Sequence, residues 1–224
     1  MKKIIITLIS GLYLLATSAS AEMGLNIGIS GTGGIFGATA KETHSVDSGA
    51  IAGSTDEDTE IASVGYPSAF IEKEFADGRI AIGMEYVPVA FESDTAESVK
   101  QDKDTDDVET ITTRTNRVQV DLEDLTTLYV SVAITEGMYV KAGLASMEVI
   151  TNESLETGSS YGNTTLDGTV LGVGYNMDFD NGMFARVEGE YMSFDGVSLT
   201  ANDNTITLKN LDGLSGKLSI GKSF

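Results

Sequence analysis

From Leu214 onward the chain alternates. Leu214, Gly216, Leu218, Ile220, Lys222 and Phe224 share one parity, and Ser215, Lys217, Ser219, Gly221 and Ser223 share the other. A period of two is the geometry of a strand, whose successive side chains leave opposite faces. The same pattern recurs upstream. Leu128, Val130, Val132 and Ile134 oppose Tyr129, Ser131 and Ala133. Leu171, Val173, Tyr175, Met177 and Phe179 oppose Val170, Gly172, Gly174, Asn176 and Asp178, and Ile80, Ile82, Met84 and Tyr86 oppose Ala81, Gly83 and Glu85. Read this way, the chain predicts eight strands, over 23–43, 61–75, 79–91, 118–135, 138–149, 165–179, 183–199 and 207–224.

The connections alternate too. "ADG" (76–78), "EG" (136–137) and "DNG" (180–182) are tight turns, rich in the residues that tolerate positive backbone angles. Between them lie longer polar runs at 44–60, 92–117, 150–164 and 200–206. Short and long connections in turn predict an all-β, eight-stranded antiparallel up-and-down barrel with one short-turn end and one long-loop end. The only two prolines, Pro67 and Pro88, are expected at bulges or at the upper rim, since a Pro removes a ladder donor.

Which face points inward decides whether such a barrel is soluble or spans a membrane. The bulky face here is apolar, and the opposite face is small with occasional charges. A bore of eight strands is narrow and favours small residues, so the bulky side chains are expected outside, against lipid. In lipid every backbone group must bond within the protein, which makes closure obligatory. Tyr66, Tyr86, Tyr139, Tyr175, Tyr191, Phe75, Phe179 and Phe224 are candidates for the interfacial aromatic girdles, with an inward direction as the alternative for some of them. On the inward parity the pattern places charge at Glu72, Glu85, Lys141, Arg186, Glu188 and Glu190. Charges there must be paired, because an isolated buried charge costs several kcal/mol. A lumen of that kind serves as a structural plug, the reading favoured for eight strands, or as a narrow ion-conducting pore.

The N-terminus fits export. "MKK", the apolar "IIITLISGLYLLA" and the small residues "SASA" read as a secretory signal peptide over residues 1–21, leaving 22–224 as the barrel domain. The signal, the alternating strands, the turn pattern and the terminal Phe224 together resemble small bacterial outer-membrane β-barrels of the OmpA/OmpX type. That resemblance implies a bacterial outer-membrane location, contact with membrane lipid and lipopolysaccharide, and insertion by the barrel-assembly machinery. It also implies that Leu214, Leu218, Ile220 and Phe224 carry the insertion signal, with Lys222 departing from the apolar residue usual at its position.

Composition narrows the chemistry. The formal charge is -20, which repels nucleic acid and excludes it as a partner. There is no Cys, so neither disulfides nor thiolate nucleophiles are available, and no cofactor is expected. The single histidine, His44, precedes Ser45, but neighbours along a strand face opposite ways and do not make a base–nucleophile pair. A non-enzymatic, monomeric barrel with a structural or surface-interaction role and an unidentified extracellular ligand is therefore expected. The alternative is a lipid A-modifying or protease-type barrel enzyme centred on His44. The acidic runs "STDEDTE" and "QDKDTDDVET" are solvated loops that are also compatible with weak binding of divalent cations.

Overall fold

The structure, a computed structural model, describes residues 24–44, 55–92, 96–103, 111–155, 162–201 and 204–224. The expected signal peptide and the tips of the longer connections lie outside the described residues. Every regular element among the described residues is a strand. They are β1 (Leu25–His44), β2 (Thr55–Phe75), β3 (Ile80–Tyr86), β4 (Phe91–Glu92), β5 (Ala96–Lys103), β6 (Ile111–Ala133), β7 (Met138–Leu155), β8 (Thr164–Asp178), β9 (Met183–Phe194), β10 (Val197–Ala201) and β11 (Asn204–Ser223).

The wall runs β1-β2-β3-β6-β7-β8-β9-β11 and closes by antiparallel pairing of β1 with β11, giving eight staves. β4 and β5 continue the line of β3 along β6, and β10 continues β9 along β11. Stepping across paired residues from Asn26 passes Glu72, Gly83, Tyr129, Gly143, Val170, Met192 and Gly213, and returns to β1 at Phe36, ten residues beyond the start. That stagger tilts the strands and sets the bore. The three tight turns and both described ends lie at one rim, where Leu25 and Phe224 exchange backbone hydrogen bonds of 3.3 and 2.9 Å.

Polarity is inverted relative to a soluble protein over the lower part of the barrel. Ile27, Ile82, Val130, Val140, Leu144, Leu171, Val173, Val187, Leu214, Leu218 and Ile220 are all exposed on the outside. Tyr86, Tyr175, Tyr191, Phe75, Phe179 and Phe224 are exposed with them, in keeping with girdle positions. Tyr66 and Tyr139 are not in the girdles: both are buried and point into the lumen. Their strand parity is that of Ser68 and Lys141, so the pleat carries them inward.

The longer connections are also shorter than expected. β6 has 23 residues, whereas about 9–11 cross a bilayer. The strands therefore continue past the apolar belt through much of 44–60, 92–117, 150–164 and 200–206. Above the belt the faces exchange character. Thr165, Asp167 and Asp195 lie exposed outside, while Leu125, Met147, Val149, Leu166, Val170, Met192, Phe194 and Leu211 form a buried apolar cluster inside. Along β7, β8 and β9 the parity is unbroken, and only the chemistry of the two faces changes.

Two bulges mark this transition. The β6–β7 register shifts between Glu123 and Thr126, with Asp124 at φ 54°, and the β1–β11 register shifts between Gly37 and Thr39, opposite Asn210 at φ 53°. Asp and Asn tolerate the left-handed region better than other side chains. Pro88 falls in the break between β3 and β4, and Pro67 lies beyond Ala69–Tyr86, the last pair β2 makes with β3. Neither interrupts a ladder between those strands.

Apart from Tyr66, which faces Thr32, the inward aromatics obey a simple packing rule. Phe70 faces Gly28 across the β1–β2 ladder, Tyr129 faces Gly83, Tyr139 faces Gly174, Phe184 faces Gly221, Phe36 faces Gly213 and Phe194 faces Gly168. A Cβ on Gly83 would come within 2.5 Å of the Tyr129 ring. Each ring takes the space that a Cβ on the facing glycine would fill, which is how large side chains fit a narrow bore. Outward glycines differ, and a Cβ on Gly216 would meet nothing within 4 Å. Gly83→Val should thus destabilise the barrel by about 1–3 kcal/mol through overpacking. Gly216→Val should change stability by less than about 0.5 kcal/mol. Urea titrations in lipid vesicles would measure both, and equal effects would contradict the assignment of the two faces.

Candidate functional site

The lower lumen is filled by charge. β2 contributes Glu72, β3 Glu85, β7 Lys141, β9 Arg186, Glu188 and Glu190, and β11 Lys217. Glu72 and Glu190 are each only 1% exposed, and Lys217 is 2% exposed. These side chains come together because each occupies the inward parity of its strand at the level where the bore is narrow.

They form two linked groups. In the first, the Arg186 guanidinium donates two parallel hydrogen bonds to the Glu72 carboxylate, at 2.6 and 2.7 Å. The fork of donors matches the two carboxylate oxygens, which makes this the strongest type of ion pair available to side chains. Tyr129 donates to the same carboxylate at 2.9 Å and Asn26 at 3.3 Å, while Arg186 Nε donates to Asn176 at 2.9 Å. The guanidinium also lies 4.5 Å from the centre of the Phe184 ring and 5.4 Å from that of Phe70. Aromatic faces thus cover the cation where water would otherwise solvate it.

In the second group two ammonium ions bridge three carboxylates. Lys217 Nζ is 2.6 Å from Glu85 and 2.8 Å from Glu190. Lys141 Nζ is 3.1 Å from Glu188 and 3.8 Å from Glu85, and also pairs with Glu190. Ser68 donates to Glu85 at 2.6 Å. Lys141 lies 4.5 Å from the centre of the Tyr129 ring, so Tyr129 touches both groups. The stagger of the strands explains the reach: Lys141 on β7 meets Glu188 and Glu190 on β9 over the backbone of Gly172 and Gly174 on β8.

All six residues expected on the inward parity lie in this lumen. Sequence reasoning missed Lys217, Tyr129 and Asn26. The signal for Lys217 was present, since it shares its parity with Ser215, Ser219 and Gly221, but a single Lys among small residues did not stand out against the apolar face of the same strand. Above this layer sits the apolar cluster, in which Val170 is 0% exposed. Below it, the turn-side rim opens into a polar cavity of about 350 Å³ lined by Arg79, Asp178, Tyr139, Asn176 and Arg186 among others. The interior therefore has three levels: a polar vestibule, a charged layer and an apolar layer. His44 ends β1 opposite Asn204, at the far end from the charged layer, and its side chain lies outside the described residues.

No family model matches the chain, and no curated protein does. Among solved structures, the outer membrane protein OprG from Pseudomonas aeruginosa superposes on 92% of this chain and 98% of that one, at 13% identity and a TM-score of 0.50. The fold is that of the bacterial outer-membrane β-barrels. Neisserial surface protein A aligns over 92% of this chain and all of that one, 100%, at 11% identity and a TM-score of 0.39. The outer membrane protease OmpT from Escherichia coli aligns over 94% of this chain and 100% of that one, at 9% identity and a TM-score of 0.44. An outer-membrane barrel fold accounts for the apolar exterior, since only a bilayer satisfies such a surface.

The bidentate pair gives a direct test. Replacing Arg186 with Met leaves Glu72 buried with Tyr129 and Asn26 but no cation. The barrel should lose about 3–5 kcal/mol, the cost typical of removing one partner from a buried pair. Lys222→Met, at an exposed position near the turn-side rim, should leave the urea midpoint unchanged. Arg186→Lys keeps the charge and loses the fork, and should fall between the two. An Arg186→Met variant as stable as the parent would mean that the lumen is hydrated at Glu72.

Proposed function

We propose that this chain is a non-enzymatic, monomeric bacterial outer-membrane barrel with a sealed lumen, whose role is structural and interactive. The observation that carries this reading is the layered interior. A charged layer whose side chains pair with one another lies beneath an apolar layer, so an ion crossing the bore would have to break the pairs and then enter an apolar cluster. The acidic and basic groups that general acid–base chemistry needs are committed to one another, away from His44. This favours the structural reading over both the narrow pore and the enzyme.

In this reading Glu72, Glu85, Lys141, Arg186, Glu188, Glu190 and Lys217 act as the plug. Leu214, Leu218, Ile220 and Phe224 serve as the insertion signal. They are exposed along one face of β11, the strand that closes the barrel, and at the residue that follows it, where assembly machinery and then lipid would meet them. Lys222 Nζ lies 5.6 Å from the centre of the Phe224 ring, so the cation meets an aromatic face at the rim. The strand extension above the belt is the part presented to the outside, with membrane lipid and lipopolysaccharide around its base.

Planar-bilayer recording tests the seal. The purified barrel should give no single-channel steps at neutral pH, and a variant with Lys141 and Lys217 both changed to Met should remain silent because the apolar layer is intact. Regular steps from the parent protein would overturn the sealed-lumen reading in favour of the pore.

A further inference from the structure

The bidentate pair of the charged layer is the middle of a longer arc. Asn26 Nδ2 donates to Glu72 at 3.3 Å and to Glu74 at 2.7 Å. On the other side Arg186 Nε donates to Asn176 Oδ1 at 2.9 Å, and Asn176 Nδ2 donates to Asp178 at 2.7 Å. The arc therefore runs from Glu74 through Asn26, Glu72, Arg186 and Asn176 to Asp178, along the turn-side vestibule. Its cation is committed to Glu72. Each end is a carboxylate, and among the described residues no cation pairs with either.

Glu74 lies on β2 and Asp178 on β8. In the closed wall β3, β6 and β7 separate these staves one way, and β9, β11 and β1 the other, so the two carboxylates face each other across the bore. Both line the cavity of about 350 Å³, together with Asp77 and Glu136 from the turns. Arg79, the lining cation that Glu72 does not hold, is exposed. Two buried acceptors here lack partners. One is Asn26 Oδ1, on the residue that holds Glu74, and the other is the hydroxyl of Tyr139, a lining residue only 8% exposed. Buried acceptors left unpaired call for a donor. Along the wall between the carboxylates the side chains are small, with Ala81, Ser131 and Ala133.

We propose that the vestibule binds a short aliphatic diamine, with one ammonium at Glu74 and the other at Asp178. Each ammonium brings three donors, so a carboxylate and an orphaned acceptor can share one. The methylenes between them lie along Ala81 and Ala133. A metal ion is a poor occupant, because the carboxylates stand on opposite walls and no group of three or more possible ligands among the described residues could hold one. A monoamine meets one end and leaves the other bare. The bound diamine neutralises both ends of the arc that positions Arg186, and so it stabilises the folded barrel.

The probe is putrescine, with butylamine as a control of the same carbon chain and a single ammonium. Calorimetric titration of the whole barrel in non-ionic detergent micelles at low salt should show putrescine binding at least about tenfold more tightly than butylamine. Glu74→Gln and Asp178→Asn keep an acceptor for the two asparagines and remove the charge. Each should weaken putrescine about tenfold, to the level of butylamine, with the heat-modifiable gel mobility of the barrel intact. Asp180→Asn, in the neighbouring turn and outside the cavity lining, should leave the affinity unchanged. Putrescine should also raise the urea midpoint of the parent and not that of the variant carrying both Glu74→Gln and Asp178→Asn. Equal affinity of the parent for the diamine and the monoamine would reduce the effect to bulk charge and overturn the site, as would absent binding or binding that survives the double variant. Displacement of putrescine by an equal concentration of magnesium ion would assign the carboxylates to a metal and overturn it too. The site does not rest on the sealed lumen, and the two fail separately. A conducting barrel that binds putrescine overturns only the seal, and a silent barrel that does not bind it overturns only the site.

Discussion

Closing the sheet between β1 and β11 fixes the bore, and the bore fixes which side chains can point into it. Eight staves with a stagger of ten residues leave room for side chains and little else. Every inward position must then be solved locally. Rings are accepted where the neighbouring strand offers glycine, as Gly83 does for Tyr129 and Gly28 for Phe70. Charges are accepted where partners converge from several strands, as Glu72 and Arg186 do from β2 and β9. The same narrowness that admits these groups keeps bulk water from separating them, which is why the pairs hold the interior together.

Two solvents meet one pleat. Along β7 the inward residues are Tyr139, Lys141, Gly143, Ala145, Met147 and Val149, polar at the turn end and apolar at the other. The outward residues Val140, Ala142 and Leu144 give way to Ser146 and Glu148. In the bilayer the outside is the apolar phase, so polar groups can be afforded only inside; above it water lies outside, and the ordinary rule returns. The β1–β11 and β6–β7 bulges lie near this exchange, where the strands leave the constraint of the closed wall and the line of β3 separates from β2.

Period-two alternation made the staves, the turns and the direction of the faces legible from the residues alone. Glu85, Lys141 and Arg186 stood out as charges on a parity otherwise small. The upper apolar layer was less legible because Met147, Val149 and Leu166 look the same whether they face lipid or a core; alternation reports a face, and only height along the barrel says what that face meets. Tyr66 and Tyr139 were left unsorted between girdle and lumen for a related reason, since an aromatic suits both a girdle and a narrow bore. The extent of the strands beyond the belt was hidden by composition: "TDEDTE" reads as a loop, yet its backbone pairs with β1 from Thr43–Thr55 onward.

A charged interior is an odd choice if stability alone is at issue, since well-packed apolar residues often serve as well as buried ion pairs. Its value here lies in register. A strand slipped by one residue turns every side chain to the opposite face. With an interior as apolar as the exterior, such a slip would cost little in a bilayer. With the charges in place, a one-residue slip of β9 would turn Arg186, Glu188 and Glu190 toward lipid, where Arg or Lys near the midplane costs about 2–4 kcal/mol each and Asp or Glu somewhat less. It would also strip Glu72, Lys141 and Lys217 of their partners. The ion pairs therefore identify the inside of the barrel, and the strand pairings that bring Glu72 to Arg186 and Lys217 to Glu85 and Glu190 are the ones that leave no charge facing the bilayer core.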